Sequence, residues 1–463
     1  MPIPESRFPV LASFRDPSGF LFERDGRIFR QVNKVYQGHF DHLTRCGLYE
    51  SLVSAGKLVP HTQSDVPAAD SRLAYKVIKP ETIPFVSYPC EWCFSQLRQA
   101  ALTTLQIQKM ALKEGMTLKD ASACNIQFLN AKPLLIDTLS FEIYRPGEPW
   151  AAYRQFCRHF LAPLALMSCV DVRLNQLSRT YLDGIPLDLA SSLLPLWSRL
   201  RPALFFHLYS HSKFQKHYEA AAVGQRSCRL SRLALEALID NLESAVAGMK
   251  LRSRRSHWLR YYSDTGYPHC MITAKQALVS EFLQRYNPRF IYDIGSNTGV
   301  FSRIAGRLNI PVVSFDNDHA VVEENYRACC EEKLSSVLPL VIDVANPSPA
   351  AGWALEERSS FFERGPADAV MALALIHHLA FTCGIPLGKI AYLLQKICRC
   401  ALVEFIPKSD PSVRRLLVNR EDIFTEYSRE SFEEEFGRYF EIEGCRQVPG
   451  SSRSVYFLKR KQR

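Results

Sequence analysis

Phe290-Ile-Tyr-Asp-Ile-Gly-Ser-Asn-Thr-Gly-Val-Phe-Ser302 joins a short apolar run to a glycine-punctuated loop and then to a helix-like segment. The pattern reads as strand, turn and helix start. Gly295 and Gly299 let the backbone turn tightly and approach a ligand where a Cβ would collide, and the helix that follows offers unpaired N–H groups. Asp293 sits at the strand end and faces the loop. A second strand-like run, Ile310-Pro-Val-Val-Ser-Phe-Asp316, ends in an acid about 20 residues beyond Gly295, where a nucleotide-binding α/β unit places the carboxylate that grips a ribose. Together these features describe an adenosine-type pocket. A dinucleotide-binding oxidoreductase would need G-x-G-x-x-G, whereas this loop reads Gly295-Ser-Asn-Thr-Gly299, which rules against hydride transfer.

Further along, Asp343 follows Leu340-Val-Ile, and Ala369-Val-Met-Ala-Leu-Ala-Leu-Ile-His377-His378 reads as a fourth strand with two histidines at its end. In order and spacing, Asp293-x-Gly295-x-Asn297-x-Gly299, Asp316, Asp343 and this last run resemble the successive motifs of class I S-adenosylmethionine-dependent methyltransferases. The resemblance implies S-adenosyl-L-methionine as cofactor. It assigns the methionine part to the loop of Asp293, Gly295, Asn297 and Gly299, the ribose to Asp316 and the adenine edge to Asp343. Asn297 stands where many members carry glycine. By the same resemblance His377 and His378 lie over the transferable methyl group, and one of them is the base that takes a proton from a hydroxyl acceptor. Adjacent residues on an extended segment point opposite ways, so only one faces the pocket. Glu404, in the next strand-like run Ala401-Leu-Val-Glu-Phe405, is a further candidate for acceptor binding. The Asn-Pro-Pro-Tyr type of motif used for amide and adenine amino methylation is absent, which points to oxygen in a small-molecule or saccharide acceptor.

Composition bounds the rest. At 463 residues and 47% hydrophobic content the chain can bury more than one core. The amino terminus lacks a basic stretch followed by an apolar run, and the longest apolar segment, near Phe160 to Val170, is broken by Pro163, so neither a signal peptide nor a membrane span is expected. Fourteen cysteines without regular spacing read as reduced thiols, and the expected compartment is the cytoplasm. Cys90-Glu-Trp-Cys93 has no second pair to complete a zinc site, and His207, His211 and His217 have no acidic partner, so no metal site is expected. The net charge of +10 permits acidic partners without demanding them. Lys250-Leu-Arg-Ser-Arg-Arg255 lacks an interleaved aromatic platform beyond Trp258, Tyr261 and Tyr262, which argues for a solvated linker over nucleic acid.

Three regions follow from the changes in pattern. Residues 1–180 read as an α+β domain that opens on a hairpin, with Asp25-Gly26 between two alternating runs. Phe94 to Gly115 reads as one amphipathic helix with Gly115 as its stop. After it come Asp120-Ala-Ser-Ala-Cys-Asn125 and, beyond Lys132-Pro-Leu-Leu-Ile136, Asp137. This order resembles the catalytic and metal-binding loops of kinase-like phosphotransferases, although Leu118-Lys119 replaces the usual His-Arg and Thr138-Leu139 the usual Phe-Gly. Arg30 is the candidate for the strand lysine. Residues 181–254 read as a helical connector, with leucines at helical spacing from Leu230 to Leu242. Residues 255–463 alternate strand and helix signals, which argues a parallel, doubly wound sheet, with a final strand pair near Phe440 to Gly444 and Val455 to Lys459. The methyltransferase resemblance implies a Rossmann-like methyltransferase domain in which that pair forms an antiparallel end hairpin. Pro149-Trp150 through His159-Phe160 and Asp183-Gly-Ile-Pro186 resemble a bacterial methyltransferase group with this long amino-terminal extension, which implies a role in host-specific nodulation. Three function classes stand: an active methyltransferase, a non-catalytic cofactor-binding or regulatory protein, and a two-headed protein with a kinase-like front half. The oligomeric state is not legible.

Overall fold

The chain folds into two units in a computed structural model that describes residues 13–210, 229–251, 256–260, 269–418 and 423–462. His211, His217, Tyr261, Tyr262 and residues 252–255 of the basic cluster lie outside the described residues. One unit comprises Met1–Ser253 with Ala350–Ser359; the other comprises Arg254–Pro349 with Ser360–Arg463.

The first unit opens on an antiparallel sheet of β1 (Gly19–Arg24), β2 (Arg27–Asn33), β3 (His61–Gln63) and β4 (Ala74–Pro80), in the order β1-β2-β4-β3. Asp25 and Gly26 both take positive φ, 53° and 69°, as a two-residue hairpin turn requires. The helix Phe94–Lys113 stops before Gly115, whose φ is 71°, and buries Leu97, Ala101 and Leu105. Two short antiparallel pairs follow it, β5 (Met116–Leu118) with β8 (Phe141–Ile143) and, in the chain between them, the hairpin of β6 (Ile126–Leu129) and β7 (Lys132–Leu135). Short helical segments run from Tyr153 to Ser210, and the helix Arg232–Ala247, capped by Ser231, buries Leu235, Ile239, Leu242 and Val246. Ala350–Ser359 is bound into this unit: Arg15 pairs with Glu357 at 2.7 Å, and Tyr88 Oη donates to the Ser359 carbonyl at 3.0 Å.

The second unit is a seven-stranded sheet of β9 (Ile291–Ile294), β10 (Val312–Asp316), β11 (Val337–Val341), β12 (Ala369–Ala372), β13 (Cys400–Phe405), β14 (Phe440–Gln447) and β15 (Ser454–Arg460). Its order is β11-β10-β9-β12-β13-β15-β14, parallel except where β15 runs against both β13 and β14. The parallel strands are apolar almost throughout, as strands covered on both faces must be. Val279, Phe282, Phe301, Met371, Leu402 and Phe457 form one core with them. Sheet order reverses between β9 and β12, so the carboxyl ends of these strands open the crevice in which doubly wound sheets bind ligands. No helix among the described residues is long and apolar enough to cross a membrane.

Candidate cofactor and methyl-transfer site

The loop after β9 sits at that reversal point. Gly295 (φ 70°), Asn297 (φ 49°) and Gly299 (φ 72°) all occupy the left-handed region. Glycine enters it freely, and asparagine tolerates it better than most residues, which explains why Asn297 can stand at a position others give to glycine. The N–H groups of Gly295 and Ser296 donate to the Phe315 carbonyl at 2.9 and 3.2 Å, tying the loop to β10. Asp316, at the end of β10, accepts the Asn297 N–H at 3.0 Å through Oδ2 and the Asp318 N–H at 3.0 Å through Oδ1. The carboxylate expected to hold a ribose therefore borders the loop expected to hold the methionine part.

Asp293 is buried beneath the loop and accepts a hydrogen bond from the Ser302 hydroxyl. Burial pushes its carboxyl up to about 7 against the opposing hydroxyl bond, and burial likewise raises Asp316 to about 6. Asp343 lies just beyond β11, exposed, with Oδ1 accepting the Ala345 N–H at 2.9 Å. The residues Ser256–Arg260 contribute to the same site. The Trp258 carbonyl accepts from Asn297 Nδ2 at 3.0 Å, and the Ser256 hydroxyl donates to Asp318.

The two histidines are not at a strand end. β12 stops at Ala372, Ala374 takes φ 52°, and His377 and His378 fall in the first turn of the helix Ile376–Phe381. Two consecutive helical residues diverge by about 100° rather than pointing to opposite faces. His377 is fully buried, its ring makes no hydrogen bond among the described residues, and burial holds it well below the usual histidine range. His378 is half-buried, meets the Trp258 ring edge-on at 5.1 Å, and is lowered by burial to about 4.

Glu404 in β13 is fully buried, and its Oε2 accepts Lys275 Nζ at 2.6 Å and the Ala374 N–H at 2.8 Å. Arg453 lies 3.9 Å from the other oxygen and holds Asp410 through Nε and Nη2 at 2.8 and 3.1 Å. Neither Lys275 nor Arg453 stands out as a site residue in the sequence. Lysine in an amphipathic helix and arginine before a terminal strand ordinarily face water.

In the first unit Asp120, Asn125 and Asp137 come together. Asp137 pairs with Arg30 and accepts the Ser140 hydroxyl at 2.6 Å, which in turn accepts Asn125 Nδ2 at 3.3 Å. Asp120 is raised by burial, and then by the charge of Asp137. His207 is a packing residue, its ring bonded to Tyr153 Oη at 2.6 Å and Asn241 Oδ1 at 2.9 Å. Cys90 and Cys93 are buried. No group of three or more potential metal-ligating side chains occurs among the described residues.

The nodulation protein NoeA of Rhizobium meliloti (strain 1021) is 34% identical over 463 residues, covering 98% of this chain and 96% of that one. No family model matches. Among solved structures, the bifunctional kinase-methyltransferase WbdD aligns at 14% identity and TM-score 0.32 over 43% of this chain, which spans 42% of WbdD. Magnesium protoporphyrin IX methyltransferase from Synechocystis PCC 6803 aligns at 15% identity and TM-score 0.31, covering 44% of this chain and 89% of that one. The N-methyltransferase NodS from Bradyrhizobium japonicum WM9 aligns at 10% identity and TM-score 0.31, covering 42% and 98%. At these scores the fold rests on the sheet order itself.

Proposed function

The chain belongs to the family of the nodulation protein NoeA, and from that premise we propose that its second unit transfers a methyl group from S-adenosylmethionine to a hydroxyl of a small molecule or saccharide used in nodulation. The observation that carries this reading is the left-handed loop of Gly295, Asn297 and Gly299 at the sheet reversal, with the Asp316 carboxylate fastened to its edge. The residues fit such a cofactor. The Leu375 side chain closes on Gly295, leaving a cradle that a Cβ would fill, and the next acid, Asp343, stands two strands over from the loop.

The sulfonium group supplies an already activated methyl, so the protein's work is alignment of the acceptor and, for a hydroxyl, removal of its proton. Gly295, Asn297 and Gly299 with Asp293 shape the methionine end, Asp316 holds the ribose hydroxyls and Asp343 the adenine edge. Of the two histidines, His378 is the base in this reading, because its ring is partly open to solvent while that of His377 is sealed. His377 is sealed in the core and keeps that helix turn in place.

Calorimetric titration of S-adenosylmethionine and S-adenosylhomocysteine into the wild type, Gly295→Val and Asp316→Ala tests the reading. Binding in the wild type that both variants lose supports it and opens an acceptor search with labelled methyl groups. No binding to a folded wild type moves the function to a non-catalytic scaffold.

A second reading rests on the first unit, where Asp120, Asn125 and Asp137 are assembled although they are spread over 18 positions of the sequence. It makes that unit a nucleotide-binding, kinase-like module with Arg30 on Asp137. Magnesium-dependent ATP binding lost in Asp137→Ala supports it, and no binding at millimolar ATP removes it.

A further inference from the structure

Four charged side chains are almost entirely buried in the second unit: Lys275 and Glu404 at 2% and 0% exposure, Asp410 and Arg453 at 4% and 5%. They form a neutral quartet, with Lys275 on Glu404, Arg453 on Asp410, and Arg453 reaching toward Glu404. Burying ions is costly, and well-packed apolar residues of similar volume often serve stability as well or better, so the quartet calls for another reason. It is tied outward at both ends: the Ser412 N–H and hydroxyl donate to Asp410 Oδ1 at 2.8 and 2.6 Å, and the Ala374 N–H donates to Glu404 Oε2 at 2.8 Å.

Ala374 is an L-residue at φ 52°, a conformation that persists only where surroundings over-determine it. The next residue, Leu375, places Cδ1 3.0 Å from where a Cβ on Gly295 would stand. The carbonyl of Leu375 then accepts the N–H groups of His378 and Leu379 at 2.9 and 3.1 Å, starting the helix that carries His378. One turn thus forms the wall of the glycine loop and aims the proposed base.

We propose that Glu404 is a positioning residue: anchored by Lys275 and Arg453, its carboxylate fixes the strained turn at Ala374 and thereby seats Leu375 against the cofactor loop and sets the direction of His378. This deepens, and rests on, the methyltransferase reading above. It gives Glu404 a role through Ala374 and Leu375 rather than through contact with the acceptor.

The test compares two variants in which no lone charge is left at the pair. Lys275→Met with Glu404→Gln keeps an acceptor oxygen for Ala374; Lys275→Met with Glu404→Ala removes it. Hydrogen exchange at the Ala374 amide reads the turn, and titration with S-adenosylhomocysteine reads the loop. The expected result is a protected amide and near-wild-type affinity in the glutamine variant. In the alanine variant the amide should exchange freely and affinity should fall about tenfold, the loss expected of one hydrogen bond to a charged group. Adding Leu375→Ala to the alanine variant should weaken binding no further. Equal affinities in the two folded variants, or a protected Ala374 amide in both, would overturn the proposal. A wild type that binds no cofactor while the exchange pattern holds would instead remove the methyltransferase reading and leave Glu404 as the anchor of the turn.

Discussion

A Cβ built on Gly299 would come 2.0 Å from Oδ1 of Asn325. Asn325 cannot retreat: it is fully buried, and its Nδ2 donates to the Ser314 hydroxyl at 2.7 Å. Gly299→Ala should therefore add left-handed strain to a steric clash, together between about 2 and 5 kcal/mol of lost stability. Urea unfolding of the two proteins measures it, and a loss under about 0.5 kcal/mol, the range of an ordinary surface change, would contradict the packing described.

Stability of the second unit should depend on pH through Asp293. Its folded carboxyl is raised to about 7 from the ordinary 3.8, so the folded state binds more protons across that interval. The contribution of this group is fully present below pH 4 and declines as pH rises through 7. Asp293→Asn, which stays neutral, should gain stability relative to wild type steadily from pH 4 to 7 and level off above. Urea denaturation at each pH gives the difference; a flat line would show that Asp293 is not buried as an acid.

His378 should titrate near pH 4 because burial against its neighbours disfavours the imidazolium. Trp258→Ala opens that ring to water and should move the titration upward toward the ordinary 6.5. Proton-detected titration of the His378 ring in the two proteins reads this directly, and an unchanged value would mean that Trp258 does not shield it.

Arg453→Met leaves the buried Asp410 carboxylate without its partner and should cost about 3–5 kcal/mol. In the wild type burial opposes ionisation of Asp410, yet the hydrogen bonds of Arg453 and Ser412 hold it at about 2. Its contribution is present above pH 3.8 and is lost as pH falls toward 2. The variant should lose this acid-side slope in thermal unfolding between pH 2 and 4, and retention of the slope would place its origin elsewhere.

The left-handed turn after β9 was legible because Gly295, Asn297 and Gly299 are the residue types that positive φ selects, and their spacing is local. The two closing strands were legible in the sequence, while their antiparallel pairing was an expectation of the family resemblance. The position of His377 and His378 was not. Ala369 to Ile376 is an unbroken apolar run with no glycine or proline, so it reads as one strand through the histidines. The break comes at Ala374, and what sustains it is Glu404, 30 residues later in the chain. The pairing of Lys275 was not legible for the same reason, since a lysine in a helix gives no sign of the carboxylate that receives it 129 residues on. The assembly of Asp120, Asn125 and Asp137 was readable because hairpin β6–β7 folds them together locally.

The place of Ala350–Ser359 bears on how the protein is born. Arg15 waits for Glu357, a partner 342 residues downstream, and Tyr88 waits for Ser359. Domains commonly finish in order as they leave the ribosome. Here the amino-terminal unit cannot be completed until three strands of the other one, β9, β10 and β11, have already been synthesised. A chain cut cleanly between the two at residue 253 would leave an orphaned segment on one fragment and an open seam on the other.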